Sequence, residues 1–229
     1  MERTLPVCAG ERESVEALAL APGPDGPLAY VAVWREAAPG GEPGAARLAA
    51  VHPPTGAVRA GAPLPGVPEQ LLLAPAPDGA ARRLYAVTAV PSAAASLDGA
   101  VGAGALAAEA AEWRLTGLDP DTLHVESEQR FPHRPLWMGV TPDGRRAFAV
   151  AGPTSLLTPS ALLRIDLLGG GAALLRAAPG RVMGLAVTGD RLFLADPAGE
   201  ALWVTDHRGR LARTVRVGRH PIAVTVSAP

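Results

Sequence analysis

The chain has 229 residues, a net charge of −1, 48% apolar residues and only 4% aromatic ones, so one large all-β domain or two small ones can bury a core of Leu, Val and Ala. The near-neutral charge argues against a nucleic-acid-binding domain driven by phosphate neutralisation, and no apolar run reaches the ~18 residues needed to span a bilayer. A single cysteine, Cys8, excludes an internal disulfide and a cysteine-based metal site.

Residues 1–20 lack a basic segment followed by an apolar one, because Glu11, Glu13 and Glu16 interrupt the stretch. The literal reading is a cytoplasmic protein without a signal peptide. The alternative is a periplasmic or extracellular protein whose N-terminus is truncated. Met1–Cys8 reads as an outer strand only.

The first complete unit opens with Leu18-Ala-Leu-Ala-Pro-Gly-Pro-Asp-Gly26, followed by a strand over Leu28–Trp34 and another over Arg47–Val51, before the turn His52-Pro-Pro-Thr-Gly56. The second repeats the pattern with Leu71-Leu-Leu-Ala-Pro-Ala-Pro-Asp-Gly79, Leu84–Val90 and Trp113–Leu118, ending at Asp119-Pro-Asp121. The third has Met138-Gly-Val-Thr-Pro-Asp-Gly144, Ala147–Ala151 and Leu162–Leu167. The fourth carries a degenerate turn in Leu185-Ala-Val-Thr-Gly-Asp190, then Leu192–Ala195, Leu202–Thr205 and Leu211–Val217. Finally, Ile222-Ala-Val-Thr-Val226 is one more first strand.

Pro presets the first turn residue, Asp caps its own backbone and Gly takes the positive φ, so each turn joins two strands into a hairpin. Four short antiparallel strands per unit is the β-propeller blade pattern. The expected fold is therefore all-β: a propeller of about four complete blades (15–68, 69–135, 136–182, 183–221) in a single domain, 1–229. A partial fifth blade comes from 1–12 and 222–229. The ring is expected to be incomplete, five-bladed with one thin blade, or completed at its open edge by a strand-donating partner or a second copy.

The last fifty residues resemble a known repeat. Arg191-Leu-Phe-Leu-Ala-Asp196, Ala201-Leu-Trp-Val-Thr-Asp206, Gly209–Gly218 and His220-Pro-Ile-Ala-Val-Thr-Val226 are similar to the YVTN-type propeller repeat, as are Leu118-Asp-Pro-Asp-Thr122 and Arg134–Arg146. The resemblance implies the architecture and no particular activity, since that lactonase- and quinoprotein-like group includes binding proteins and enzymes.

In such a fold the loops leading from an outer strand to the next inner strand share one face. They carry Arg12, His133, Arg134, Arg181, Arg219 and His220. The long loops Glu36–Ala46, Ser92–Glu112 and Gly152–Ser160 fall on the same face, which points to a binding face. These residues form the candidate ligand-binding set: guanidinium pairs bidentately with carboxylate or phosphate, which suits an anionic small molecule or an acidic protein partner. The plainer reading is solvated turn arginines, in a chain whose 21 basic residues are all Arg, as a GC-rich genome would produce.

Other motifs read as structure. Gly102-Ala-Gly-Ala-Leu-Ala107 matches a relaxed dinucleotide fingerprint but lies in a loop, beside a short helix expected over Leu106–Glu112. Asp119-Pro-Asp121 reads as a turn, and the histidines at 52, 124, 133, 207 and 220 lack metal-ligand spacing. Glu126–Glu128, and the arginines at 208, 210, 213, 216 and 219, read as edge-guarding charges of outer strands and their flanking turns. No catalytic residue, cofactor or metal is assigned. The function expected first is non-enzymatic binding. The alternatives are a lactonase- or quinoprotein-like enzyme with a site assembled from several blades, and an accessory subunit whose ring a partner completes.

Overall fold

A computed structural model describes residues 12–23, 26–36, 44–58, 61–75, 82–91, 110–131, 133–152, 160–177 and 182–226. Among these residues every regular element is a strand. The first sheet contains β1 (Glu13–Gly23), β2 (Gly26–Arg35), β3 (Ala45–His52) and an outer strand broken into β4 (Ala57–Val58) and β5 (Ala62–Leu64), both paired with β3. The second runs β6 (Val67–Pro75), β7 (Arg82–Pro91), β8 (Ala110–Leu118) and β9 (Val125–Phe131). The third runs β10 (Pro135–Val140), β11 (Arg146–Ala151), β12 (Ala161–Asp166) and β13 (Ala172–Ala177). The fourth runs β14 (Gly184–Val187), β15 (Arg191–Asp196), β16 (Ala201–Asp206) and β17 (Leu211–Arg216). In all four sheets spatial order follows chain order, and the strand pairs are antiparallel. The strands expected in the four units coincide with these elements except that Leu167 and Val217 fall just beyond them; the strand expected at 222–226 is not formed, and Met1–Cys8 lies outside the described residues.

The chain divides into two compact units: Met1–Leu73 with Arg83–Pro132, and Ala74–Arg82 with His133–Pro229. In the first unit, the Tyr30 hydroxyl on β2 donates to the Pro120 carbonyl at the end of the second sheet, 3.2 Å away. In the second unit, Phe148, Val150 and Leu162 of the third sheet form one core with Val182, Leu192 and Leu194, against which Leu185 and Val187 of β14 also pack. A Cβ added to Gly139 on β10 would come within 2.7 Å of the Val187 side chain, so the missing side chain is what lets β10 and β14 approach. Residues 221–226 extend the same stack. The corresponding atom on Gly184 would lie 3.0 Å from the Ala223 Cα.

The hairpins are closed by side chains acting as backbone. The Thr141 hydroxyl accepts the Arg146 N–H at 3.1 Å, and the Thr141 N–H donates to the Arg146 carbonyl at 2.8 Å. Thr188 does the same with Arg191, at 3.1 and 2.9 Å. One threonine therefore closes both the full Pro-Asp-Gly turn and the shorter degenerate one. Aspartates close other turns, and in the third and fourth sheets Asp166 and Asp206 stand at the same end as Thr141 and Thr188, paired with Arg146 and Arg191. Asp119 Oδ1 accepts the N–H groups of Asp121 and Thr122, Asp166 Oδ1 those of Leu168 and Gly169, Asp196 Oδ1 those of Ala198 and Gly199, and Asp206 Oδ1 those of Arg208 and Arg210. These are Asx turns. They settle Asp119-Pro-Asp121 as a turn.

One expectation is overturned. The helix expected over Leu106–Glu112 is replaced at its C-terminal end by β8, which begins at Ala110. Ala110 pairs with Pro91 and Glu112 with Val90, and the Glu112 carboxylate bridges Arg114 and Arg130. The sheet ladder and its cross-strand charges thus outweigh the local helix preference of the Ala/Glu run. Leu106–Glu109, the Gly102–Ala107 motif and the turn residues 24–25 and 76–81 lie outside the described residues.

Two outcomes follow. Replacing buried Thr141 with Val keeps its shape but leaves the Arg146 N–H without the hydroxyl, and should lower unfolding free energy in urea by about 1–3 kcal/mol. Thr141→Ser should recover most of that loss. The turn aspartates predict acid sensitivity. The Thr122, Gly169 and Arg210 N–H groups hold the Asp119, Asp166 and Asp206 carboxyls respectively below the ordinary aspartate value of 3.8. Their contribution is complete above that value and is lost as pH falls through the lowered folded one, because the unfolded chain takes up protons first. The urea midpoint should therefore fall between about pH 5 and about pH 2, and Asp166→Asn should flatten that fall.

Candidate functional site

Of the residues singled out in the loops, Arg12, His133 and Arg134 stand at the entry to an inner strand. Exposed Arg12 precedes β1 in the first unit, and its carbonyl accepts the Glu36 N–H at 3.0 Å, which ties the start of β1 to the end of β2. In the second unit, exposed His133 and half-buried Arg134 precede β10. Arg219 and His220, both exposed, precede the segment 221–226, and His220 holds a φ of 51°. Arg181 lies outside the described residues.

A more concentrated arrangement occurs on the first sheet, at the end that Arg12 enters. Glu13 on β1 pairs with Arg35 on β2, which pairs with Ala45 on β3; one step along, Val33 pairs with Arg47. Cross-strand partners share a face, so Glu13, Arg35 and Arg47 project from the same side of the sheet. An Arg47 Nη2 donates to Glu13 Oε2 at 3.2 Å, with the Glu13 side chain only 13% exposed and that of Arg47 36%. The alanines at 45 and 46 leave room beside these groups. The result is a cavity of about 230 Å³ lined by Glu13, Val33, Arg35, Ala45, Ala46 and Arg47. It is smaller than the ~300 Å³ at the lower end of drug-sized sites, so it suits a single small group.

Guanidinium nitrogens are permanent donors in a fixed fork, and a small apolar wall lowers the effective dielectric around them. The arrangement can therefore attract and orient an anion. Sequence reasoning chose none of these lining residues as a binding residue, only the neighbouring Arg12, because Arg35, Arg47 and Glu13 sit on strands. The available signal was the alternation Val31-Ala-Val33-Trp-Arg35, in which an arginine occupies the position that the valines reserve for one face.

Many of the described acidic side chains elsewhere are engaged in turns or ion pairs. Five aspartates hold turns, counting Asp143, whose carboxylate accepts the Arg145 N–H. Glu126 pairs with Arg83, and Glu112 and Glu128 pair with Arg114 and Arg130. His207 packs against the Phe148 ring, centroids 4.8 Å apart, with Nε2 3.1 Å from the Thr188 carbonyl. His52 Nδ1 lies 2.9 Å from the Thr55 hydroxyl within its turn. Among the described residues, no group of three or more His, Cys, Asp and Glu side chains is placed to hold a metal ion.

The sheets have clear structural counterparts. A chain of hydrazine synthase from Kuenenia stuttgartiensis is 14% identical, with a TM-score of 0.57, over 91% of this chain and 76% of that one. A putative 6-phosphogluconolactonase from Bacteroides uniformis is 14% identical, with a TM-score of 0.52, over 95% of this chain and 59% of that one. The Dos1 propeller is 12% identical, with a TM-score of 0.53, over 88% of this chain and 48% of that one. A likeness at this identity establishes the fold. The chain is a β-propeller of four-stranded antiparallel blades, and it spans between about half and three quarters of the length of these counterparts. No protein-family model and no curated protein matches the sequence.

Proposed function

We propose that this chain is a non-enzymatic binding propeller, built on YVTN-type repeats, that takes a small carboxylate at the arginine-lined end of its first sheet. The observation that carries this reading is the 230 Å³ cavity, into which two strands bring Arg35 and Arg47 beside one carboxylate, Glu13. Each guanidinium offers a planar fork that matches a carboxylate, and a charge-assisted bond of this kind has roughly twice the strength of a neutral one. Glu13 occupies Arg47 in the absence of ligand and would compete with an incoming carboxylate for it. The engagement of many described acidic side chains in turns and ion pairs supports binding rather than acid–base chemistry. The loop residues Arg12, His133, Arg134, Arg181, Arg219 and His220 are proposed as further anion-attracting groups, the guanidinium charges of their arginines steering an anion.

The test is isothermal titration with malonate and citrate. Arg35→Ala and Arg47→Ala should each weaken binding at least tenfold, and Glu13→Gln should strengthen it by removing the internal competitor. A combined Arg134, Arg181 and Arg219→Ala variant should alter only the salt dependence. Loss of binding in that variant, with Arg47→Ala unaffected, would move the site to these loops. Absence of any carboxylate response in the wild-type protein would overturn the binding reading.

A further inference from the structure

We infer that the ligand of the first-sheet cavity is a small α-amino acid, with Glu13 as the residue that recognises its ammonium group. This inference rests on the carboxylate reading of that cavity and narrows it, from carboxylates in general to those that carry their own cation. The observation behind it is the mixed charge of the cavity wall, where Arg35 and Arg47 stand with one carboxylate, Glu13.

A carboxylate in the wall works against a plain anion. Glu13 on β1 is largely buried, and it reaches across β2 to place Oε2 3.2 Å from an Nη2 of Arg47 on β3. Taking a carboxylate out of water is costly unless it is paired. Once paired, it repels an incoming anion and engages a guanidinium that the anion needs. A ligand with both charges removes the conflict. Its carboxylate takes guanidinium donors, and its ammonium brings three N–H donors to Glu13, which can only accept.

The dimensions select the α-amino acid. Standard bond lengths place its ammonium nitrogen roughly 2.7 Å from the nearer carboxylate oxygen. The Arg47 nitrogen and the Glu13 oxygen stand 3.2 Å apart, wider than the ~2.7–2.9 Å usual for a charge-assisted bond of this kind. The two pairs therefore match edge to edge. Ligand carboxylate meets Arg47 and ligand ammonium meets Glu13 in a closed circuit of alternating charges, without parting Glu13 from Arg47. Arg35, the cross-strand partner of Glu13, brings the second guanidinium to the same wall. An extended ω-amino acid, whose charges stand further apart, would have to break the Glu13–Arg47 pair. The rest of the wall is Val33, Ala45 and Ala46, and the volume of about 230 Å³ leaves apolar room for a short side chain only.

Isothermal titration of the full chain at neutral pH tests this with ligands that share one skeleton: alanine, propionate, which lacks the ammonium, and N-acetylalanine, whose nitrogen is uncharged. The wild type should bind alanine at least tenfold more tightly than either of the others. Glu13→Gln should reverse that order, weakening alanine at least tenfold while strengthening propionate, and Arg47→Ala should weaken both. A wild type that binds propionate as tightly as alanine overturns the inference and leaves the carboxylate reading standing. So does a response to malonate with none to alanine. A Glu13→Gln protein that keeps the alanine preference also overturns it, because Glu13 is then only a link between β1 and β3. A wild type that binds none of these ligands, malonate and citrate included, sinks the carboxylate reading and this inference with it. Circular dichroism checks that Glu13→Gln folds; where it does not, the three-ligand comparison on the wild type decides by itself.

Discussion

The second strand of each sheet is apolar on both of its faces. On β2 the six residues Ala29–Trp34 are all buried, and so are Leu84–Ala89 on β7 and Ala147–Ala151 on β11. A strand of this kind is stable only when sheets cover it from both sides. That demand explains the small residues of the inner strands, because two sheets approach closely only where one contributes no bulk, as at Gly139. It also explains why the polar side chains concentrate at the sheet ends and outer strands, where water or a turn satisfies them.

Tight turns are the second requirement. Antiparallel strands in one sheet must reverse within a few residues, which leaves main-chain N–H groups without ladder partners. Threonine hydroxyls and aspartate carboxylates fill those vacancies, and in the third and fourth sheets the two stand at the same end. The aspartates that could be mistaken for catalytic or calcium-binding groups are thereby accounted for. Charge on the outer strands follows the same economy: β9 crosses β8 with Glu112, Arg114, Glu128 and Arg130 in one ladder, and β17 keeps Arg213 and Arg216 at an edge.

The cavity shares its face of the first sheet with the exposed apolar side chains of β1. Glu13, Arg35 and Arg47 stand at one end of that face, and Leu18 and Leu20 stand further along it, beside the buried Val31 and Ala29 of β2.

Much of this architecture was legible in the residues themselves. Pro-Asp-Gly turns and period-two alternation locate the strands, because turn chemistry and side-chain direction are local properties. The Val-Thr signature also predicts an inner strand at 222–226, which the structure does not form in any sheet. Two kinds of information were beyond local reading. The extended conformation of Ala110–Glu112 depends on pairing with residues some twenty positions earlier, which a helix-favouring Ala/Glu run conceals. The bulge after Val15 shifts the alternation by one, so that Val15 joins Leu18 and Leu20 on one face where strict alternation would have placed Glu16. The anion site is of the same kind. Arg35 and Arg47 are separated by a loop in sequence and become neighbours of Glu13 only through strand register. The chain's own residues determined that it forms blades and where they turn. Tertiary pairing alone decided which arginines meet and which β1 side chains share their face, because register is set by contacts between distant segments.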